Sequence, residues 1–255
     1  MQASAKKVWI VGAGPGDPNL ITMKGLRAIQ QADVILYDAL VSTVLLENAA
    51  PACKKIYVGK RRGKKEFSQE DINRLIVFYA ERYDSVVRLK GGDPNVFGRG
   101  HEEMEYVTRR GVAVEFVPGI SSAIAAPGAA CIPLTKRGVN ESFWVVTATT
   151  SSGNISNDIA LAARSTATVI ILMGVSQLQN IASMFKNLRS PDEPVAVIQD
   201  ATLPGQRITI GTATDIYERV QEAGSGSPAV IVIGKVVSES PVAQLLLAAK
   251  NEINW

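Results

Sequence analysis

Three short segments concentrate the residues able to do chemistry, and each follows an apolar run. The first is Val11-Gly12-Ala13-Gly14-Pro15-Gly16-Asp17-Pro18. Its glycines let a ligand approach the main chain closely, although a plain structural turn would use the same residues. The GxG opening suggests a dinucleotide fingerprint, but Asp17 stands where the third glycine belongs. Pro15 and Pro18 also disturb the tight turn that would aim backbone N–H groups at a pyrophosphate. The second segment is Arg88-Leu89-Lys90-Gly91-Gly92-Asp93-Pro94, running on to Phe97-Gly98-Arg99-Gly100-His101-Glu102-Glu103. Arg88, Lys90 and Arg99 around one glycine turn suggest anion recognition. Glu102 and Glu103 equally suit the positive end of a helix. The third, Pro118-Gly119-Ile120-Ser121-Ser122-Ala123, fits a cofactor wall made of backbone, or a serine N-cap.

Composition removes several alternatives. His101 is the one histidine of 255 residues, so a His-based zinc cage or an HExxH protease cannot be built. A serine or cysteine hydrolase would have to use His101 as its base, inside a Gly-rich charged stretch. Two cysteines, Cys53 and Cys131, are too few for a disulfide scaffold, which sets a reducing, cytoplasmic compartment as the expectation. Gly12, Gly14 and Pro15 interrupt the first apolar run too early for a signal peptide. No run approaches the roughly 18 apolar residues of a membrane helix, so no membrane partner is expected. Residues 1–137 carry 20 basic and 14 acidic groups; residues 138–255 carry 7 and 10. The basic run at 54–65 is either a solvated loop or a landing surface for a polyanion. It lacks interleaved aromatics, so base stacking has little support and no nucleic acid is expected.

The elements that must position these loops alternate. Strands are expected at 8–12, 33–37, 55–58, 85–89 and 113–117, then at 143–147, 168–173, 194–198, 207–211 and 229–234. Several are continuously apolar, as in parallel sheets covered on both faces. Helical spacing occupies 23–31, 69–82, 100–110, 176–186 and 215–222. The fold class is α/β. The change in charge near 137 divides it into two lobes, 1–135 and 136–255.

Together, the three loops resemble the tetrapyrrole (precorrin) methyltransferases, S-adenosylmethionine-dependent enzymes, over residues 8 to about 237. The likeness rests on GAGPGDP at 12–18, AD at 32–33, LYD at 36–38, VGKR at 58–61, and Gln69 with Ile72-Asn73. It continues in RLKGGDP at 88–94, FGRG at 97–100, PGI at 118–120, IPLT at 132–135, LMG at 172–174 and SPAVIVIG at 227–234. The GKR and FGRG stretches are most similar to the branch acting on uroporphyrinogen III.

The resemblance implies two αβα lobes with mixed or parallel sheets, an active site in the cleft between them, and a homodimer. It implies methyl transfer from S-adenosylmethionine to C2 and C7 of uroporphyrinogen III, without a metal. The product, precorrin-2, feeds sirohaem and cobalamin synthesis. Methylation alone is expected, with the dehydrogenase and chelatase steps left to a separate enzyme. Implied cofactor contacts are Pro15, Gly91, Gly92, Asp93, Val96, Ser121, Ser122, Met173 and Ala201; at Ala201 the family usually has glycine. Asp38 corresponds to the family's proton acceptor and Lys60 to its proton donor. Arg61, Arg88, Arg99, Glu102 and Arg137 are the expected contacts to a macrocycle rimmed by carboxylates. His101 stands where the family has glycine, so it is expected to touch substrate or cap a helix rather than to catalyse. The alternatives are a methyltransferase for a later precorrin or for ribosomal RNA and, from another class, a nicotinamide-dependent oxidoreductase.

Overall fold

The computed structural model describes residues 6–59, 67–150 and 153–251. Two compact units divide it, Met1–Ser122 and Ala123–Trp255. The division falls within the segment joining the two sheets, as does the lobe boundary expected at 135/136.

The first unit holds five strands: β1 (Lys7–Gly12), β2 (Val34–Tyr37), β3 (Lys54–Tyr57), β4 (Ser85–Lys90) and β5 (Ala113–Val117). They form one sheet in the order β3-β2-β4-β1-β5, and every pair is parallel. Crossover helices α1 (Met23–Gln30), α2 (Gln69–Ala80) and α3 (Gly100–Thr108) cover its faces. Strand alternation sends Val11, Ile35, Val87 and Leu89 toward Ala28 and Ile29 of α1. It sends Val8, Ile10, Val34, Leu36 and Val86 toward Ile72 and Ile76 of α2 and Val107 of α3. Both faces are thus buried, which is why these strands read as continuous apolar runs. The helices start on local signals. The Thr22 side chain accepts from the Gly25 N–H at 3.1 Å, and Ser68 and Asp71 form a reciprocal capping box.

The second unit begins with α4 (Ala123 onward in a helix spanning Ser122–Ala129) and carries β6 (Phe143–Thr147), β7 (Thr168–Leu172), β8 (Pro194–Gln199), β9 (Arg207–Thr212) and β10 (Ala229–Ile233). Its sheet order is β6-β7-β10-β8-β9, with β6 and β7 parallel and the remaining pairs antiparallel. Helices α5 (Asn157–Ala163), α6 (Leu178–Leu188) and α7 (Ile216–Glu222) pack over Val169, Ile171, Val195, Val197 and Ile231 around Phe185. A final helix, α8, spans Pro241–Asn251. One sheet parallel and one mixed is the α/β architecture expected. No helix among the described residues is long and apolar enough to cross a membrane.

Candidate active site

In a parallel sheet, ligands collect beyond the carboxyl ends of the strands. At that edge of the first unit, the loops after β1, β4 and β5 meet main chain to main chain. Gly14 and Gly92 exchange backbone hydrogen bonds, 3.2 Å from the Gly14 N–H and 2.7 Å from the Gly92 N–H. The Ala13 N–H donates to the Lys90 carbonyl at 2.7 Å. A Cβ on Gly12 would lie 2.6 Å from the Gly119 Cα and 2.7 Å from the Gly92 oxygen, so only glycine fits there. Asp93 ties the loops together: one carboxylate oxygen accepts the Gly119 N–H at 3.0 Å, the other the Asn95 N–H at 2.7 Å. A Cβ added at Gly92 would lie 3.9 Å from the Ser122 N and 4.0 Å from the Ser121 Cα. The result is a floor of closely packed backbone, buried to half-buried and walled by small residues, that brings together Gly91, Gly92, Asp93, Ser121 and Ser122. Pro15 and Val96 lie in the same loops and are half-buried.

Asp38 follows β2 at the same edge. Its Oδ1 accepts the Leu40 N–H at 3.1 Å and its Oδ2 the Arg88 Nη2 at 3.3 Å, with the side chain 24% exposed. A positioned, partly open carboxylate of this kind can accept a proton. Lys60 and Arg61 lie outside the described residues. Arg88 was expected to face substrate. It is 3% exposed, and its guanidinium is directed to Asp38, Glu103 and the Leu89 carbonyl. Lys90 and Glu103 join it: the Lys90 Nζ donates to Glu103 Oε1 at 2.9 Å, as does the Gln69 Nε2 at 3.0 Å. Burial, and then the Arg88 charge alongside, pull the Lys90 ammonium below the ordinary lysine value, while Glu103 opposes them.

The sequence suggested anion recognition for Lys90 and a first-turn helix acid in Glu103, not a buried pair, although a signal for one existed. Arg88 and Lys90 are two apart on a strand buried on both faces, which places both cations inside on one face and demands an acid opposite. Arg99 and Glu102 are exposed and form a two-pronged pair, Nε to Oε1 at 3.0 Å and Nη2 to Oε2 at 2.6 Å. The hydrogen bond from Arg99 holds the Glu102 carboxyl below its usual range. Arg99 stands at φ 58°, just ahead of α3. His101 is exposed, 3.3 Å from Glu105 one turn along α3.

In the second unit, Met173 follows the buried β7. Its φ is 55° and it is 56% exposed, a strained position for a residue that would ordinarily be core. Ala201 is buried between Asp200 and Thr202, both with positive φ. Arg137 is exposed and carries no ion pair among the described residues. Among those residues, no group of three or more His, Cys, Asp or Glu side chains is arranged to hold a metal.

A fold of this topology, with a glycine-backbone floor beside an acid, defines a class: residues 7–217 match the model of the tetrapyrrole (corrin/porphyrin) methylases, and the chain belongs to that family. Among its relatives, a uroporphyrinogen-III C-methyltransferase from Methanocaldococcus jannaschii is 47% identical over 234 residues, covering 91% of this chain and 97% of that protein. The uroporphyrin-III C-methyltransferase from Thermus thermophilus complexed with S-adenosylhomocysteine superposes with a TM-score of 0.79 at 39% identity, covering 91% of this chain and 99% of that one. A cobalt precorrin-4 methyltransferase of cobalamin biosynthesis superposes at 0.82 with 30% identity, covering 91% and 96%.

Proposed function

We propose that this chain is an S-adenosylmethionine-dependent methyltransferase that methylates uroporphyrinogen III at C2 and C7, giving precorrin-2 and two S-adenosylhomocysteines. The observation that carries this is the 47% identity to the Methanocaldococcus enzyme over nearly the whole of both chains. The later-precorrin enzyme overlaps as well in fold but is 30% identical, so fold alone does not choose between acceptors.

The floor suits the donor. The loops bring Gly91, Gly92, Ser121 and Ser122 to one surface, which is proposed to meet the amino-acid and ribose portions, and Met173 and Ala201 are proposed for the adenosine. When bound, S-adenosylmethionine supplies an electrophilic methyl group, and in-line transfer needs chiefly alignment and exclusion of water. The acceptor pyrrole carbon forms the new C–C bond and leaves positive charge on the macrocycle; loss of a proton from the macrocycle restores neutrality. Asp38 is the group proposed to take that proton. Lys60 is the proposed cationic partner, donating a proton or binding a substrate carboxylate. Arg61, Arg99 with Glu102, and Arg137 are the proposed contacts to the substrate, whereas Arg88 is buried and directed to Asp38. A homodimer in the cytoplasm is inferred on the same footing.

The test offers uroporphyrinogen III and a later precorrin separately, with S-adenosylmethionine, and follows the products by mass. Two methyl groups added to uroporphyrinogen III are expected. Transfer to the later precorrin alone would overturn the proposal. Light scattering after gel filtration should return twice the chain mass, and a monomer would refute the dimer.

A further inference from the structure

β4 turns two basic side chains, Arg88 and Lys90, toward the face covered by α2 and α3. They are 3% and 5% exposed, and Glu103, reaching down from α3, is fully buried. Glu103 Oε1 takes three donors: Arg88 Nε at 3.2 Å, Lys90 Nζ at 2.9 Å and Gln69 Nε2 at 3.0 Å. Gln69 also donates to the Asn73 Oδ1 at 3.1 Å. The other oxygen, Oε2, is enclosed without a hydrogen-bond partner. At its open end the cluster reaches Asp38, through Arg88 Nη2. Two cations face two carboxylates, and the balance holds only while Asp38 is ionised. Well-packed apolar side chains would fill this space without the desolvation cost of the charges or of the orphaned oxygen. The cluster therefore serves something other than packing, and among the described residues its partly exposed charged member is Asp38.

We propose that Glu103, Arg88 and Lys90 are positioning residues that fix the Asp38 carboxylate and set how strongly it takes a proton, with Glu103 and Lys90 acting through Arg88. This rests on Asp38 being the proton acceptor. The charged groups around it among the described residues are Arg88 and Lys90 from β4 and Glu103 from α3. α2 presents the neutral Gln69 and Asn73. Arg99 and Glu102, paired with each other at the exposed start of α3, are the next charges out. Burial first and then the Arg88 charge lower the Lys90 ammonium, and Glu103 and Asp38 act against them.

The test measures kcat and KM against pH for the full chain and for Glu103→Gln, Lys90→Met and the double variant, with S-adenosylhomocysteine binding by calorimetry. Removing the Glu103 charge leaves Asp38 facing uncompensated cations, so the acid limb of kcat moves down by on the order of one pH unit. Removing the Lys90 charge moves it up by a similar amount. The double variant restores the balance and brings the limb back toward the parent, as a coupled pair requires. In Glu103→Gln, kcat falls roughly tenfold, with KM and S-adenosylhomocysteine affinity little changed. Limbs that stay in place, or that move in the same direction in both single variants, would overturn the proposal, because loosened packing produces no opposed shifts. Should Glu103→Gln fail to fold, Lys90→Met and the double variant carry the same comparison. Asp38→Asn separates the two levels. If it keeps turnover, the reading of Asp38 and this proposal both fall; if it loses turnover while the limbs stay fixed, this proposal alone falls.

Discussion

Gly119→Ala adds one methyl group at the point where the loops after β1, β4 and β5 touch. The new Cβ would stand 2.4 Å from the Gly92 carbonyl oxygen, 2.7 Å from the Gly12 Cα and 2.9 Å from the Gly12 carbonyl carbon. These contacts are roughly 1 Å inside normal van der Waals separation. All three atoms are backbone, so no side-chain rotation relieves the clash and the loops must separate. Separation strains the Gly14–Gly92 pair and the 3.0 Å bond from the Gly119 N–H to Asp93. Overpacking of this kind costs about 1–3 kcal/mol. The floor is also the proposed cofactor surface, so S-adenosylhomocysteine affinity should fall roughly 10- to 100-fold, about tenfold for each 1.4 kcal/mol. The unfolding midpoint should drop by about 2–4 °C for each kcal/mol. Calorimetry and thermal unfolding read the two effects. The control is Gly205→Ala, where an added Cβ meets nothing within 4 Å. A Gly119→Ala protein with parental affinity and midpoint, or a control that loses as much, would refute the reasoning.

Further expectations concern single charged groups. Asp38→Asn should keep S-adenosylhomocysteine binding by calorimetry and lose at least about a hundredfold in turnover, the low end of general-base contributions; near-parental kcat would remove Asp38 as the base. Partial burial pushes the Asp215 carboxyl up, but the Thr212 N–H at 2.7 Å and the Arg219 guanidinium at 2.6 Å hold it below the ordinary aspartate value overall. Its folded value being the lower one, its contribution to stability is complete above the unfolded value and is lost as pH falls through the folded value. Denaturant titrations of Asp215→Asn against parent should therefore differ most near neutrality and converge in acid. For Lys90 stability also rises with pH, but from a cost: a lysine held low costs stability while protonated, and that cost is relieved as pH rises from its folded value toward the ordinary one. Lys90→Met should flatten this rise in an alkaline denaturant series; an unchanged slope would show that Lys90 does not carry it.

Much of this was readable because it depends on local pattern. Most of the ten strands follow from apolar runs that burial on both faces requires, and their ends are off by a residue or so. The glycine loops were readable because their residue types are set by backbone crowding, which leaves a mark at each position. α4 was not: Pro127 and Gly128 lie in or beside its last turn, and Ser-Ala-Ile-Ala-Ala offers no polar face to mark a helical period. α5 was not either: after Asn157-Asp158 its residues, Ile-Ala-Leu-Ala-Ala, are all apolar and leave no polar face to mark a period. The charged cluster was hidden for another reason. Arg88 reads the same in sequence whether it faces substrate or interior, and Glu103 reads as a first-turn acid. Only the pairing of β4 between β2 and β1, with α3 above it, decides the direction in which these side chains point.

The order of strands in the first unit also bears on when the floor can come into being. Gly12 leaves β1 at the start of the chain, yet its partners in the floor, Gly92 and Gly119, follow β4 and β5. β1 sits between β4 and β5 and touches neither β2 nor β3 in the sheet. The amino-terminal strand therefore waits, without sheet partners, until some eighty residues more have been made, a span whose closure slows folding. During synthesis the chain presents its first glycine loop long before its floor partners, Gly92 and Gly119, exist. If the floor holds the methyl donor as proposed, the donor stabilises the first unit only once Gly119 has emerged, and cannot guide the steps that precede it.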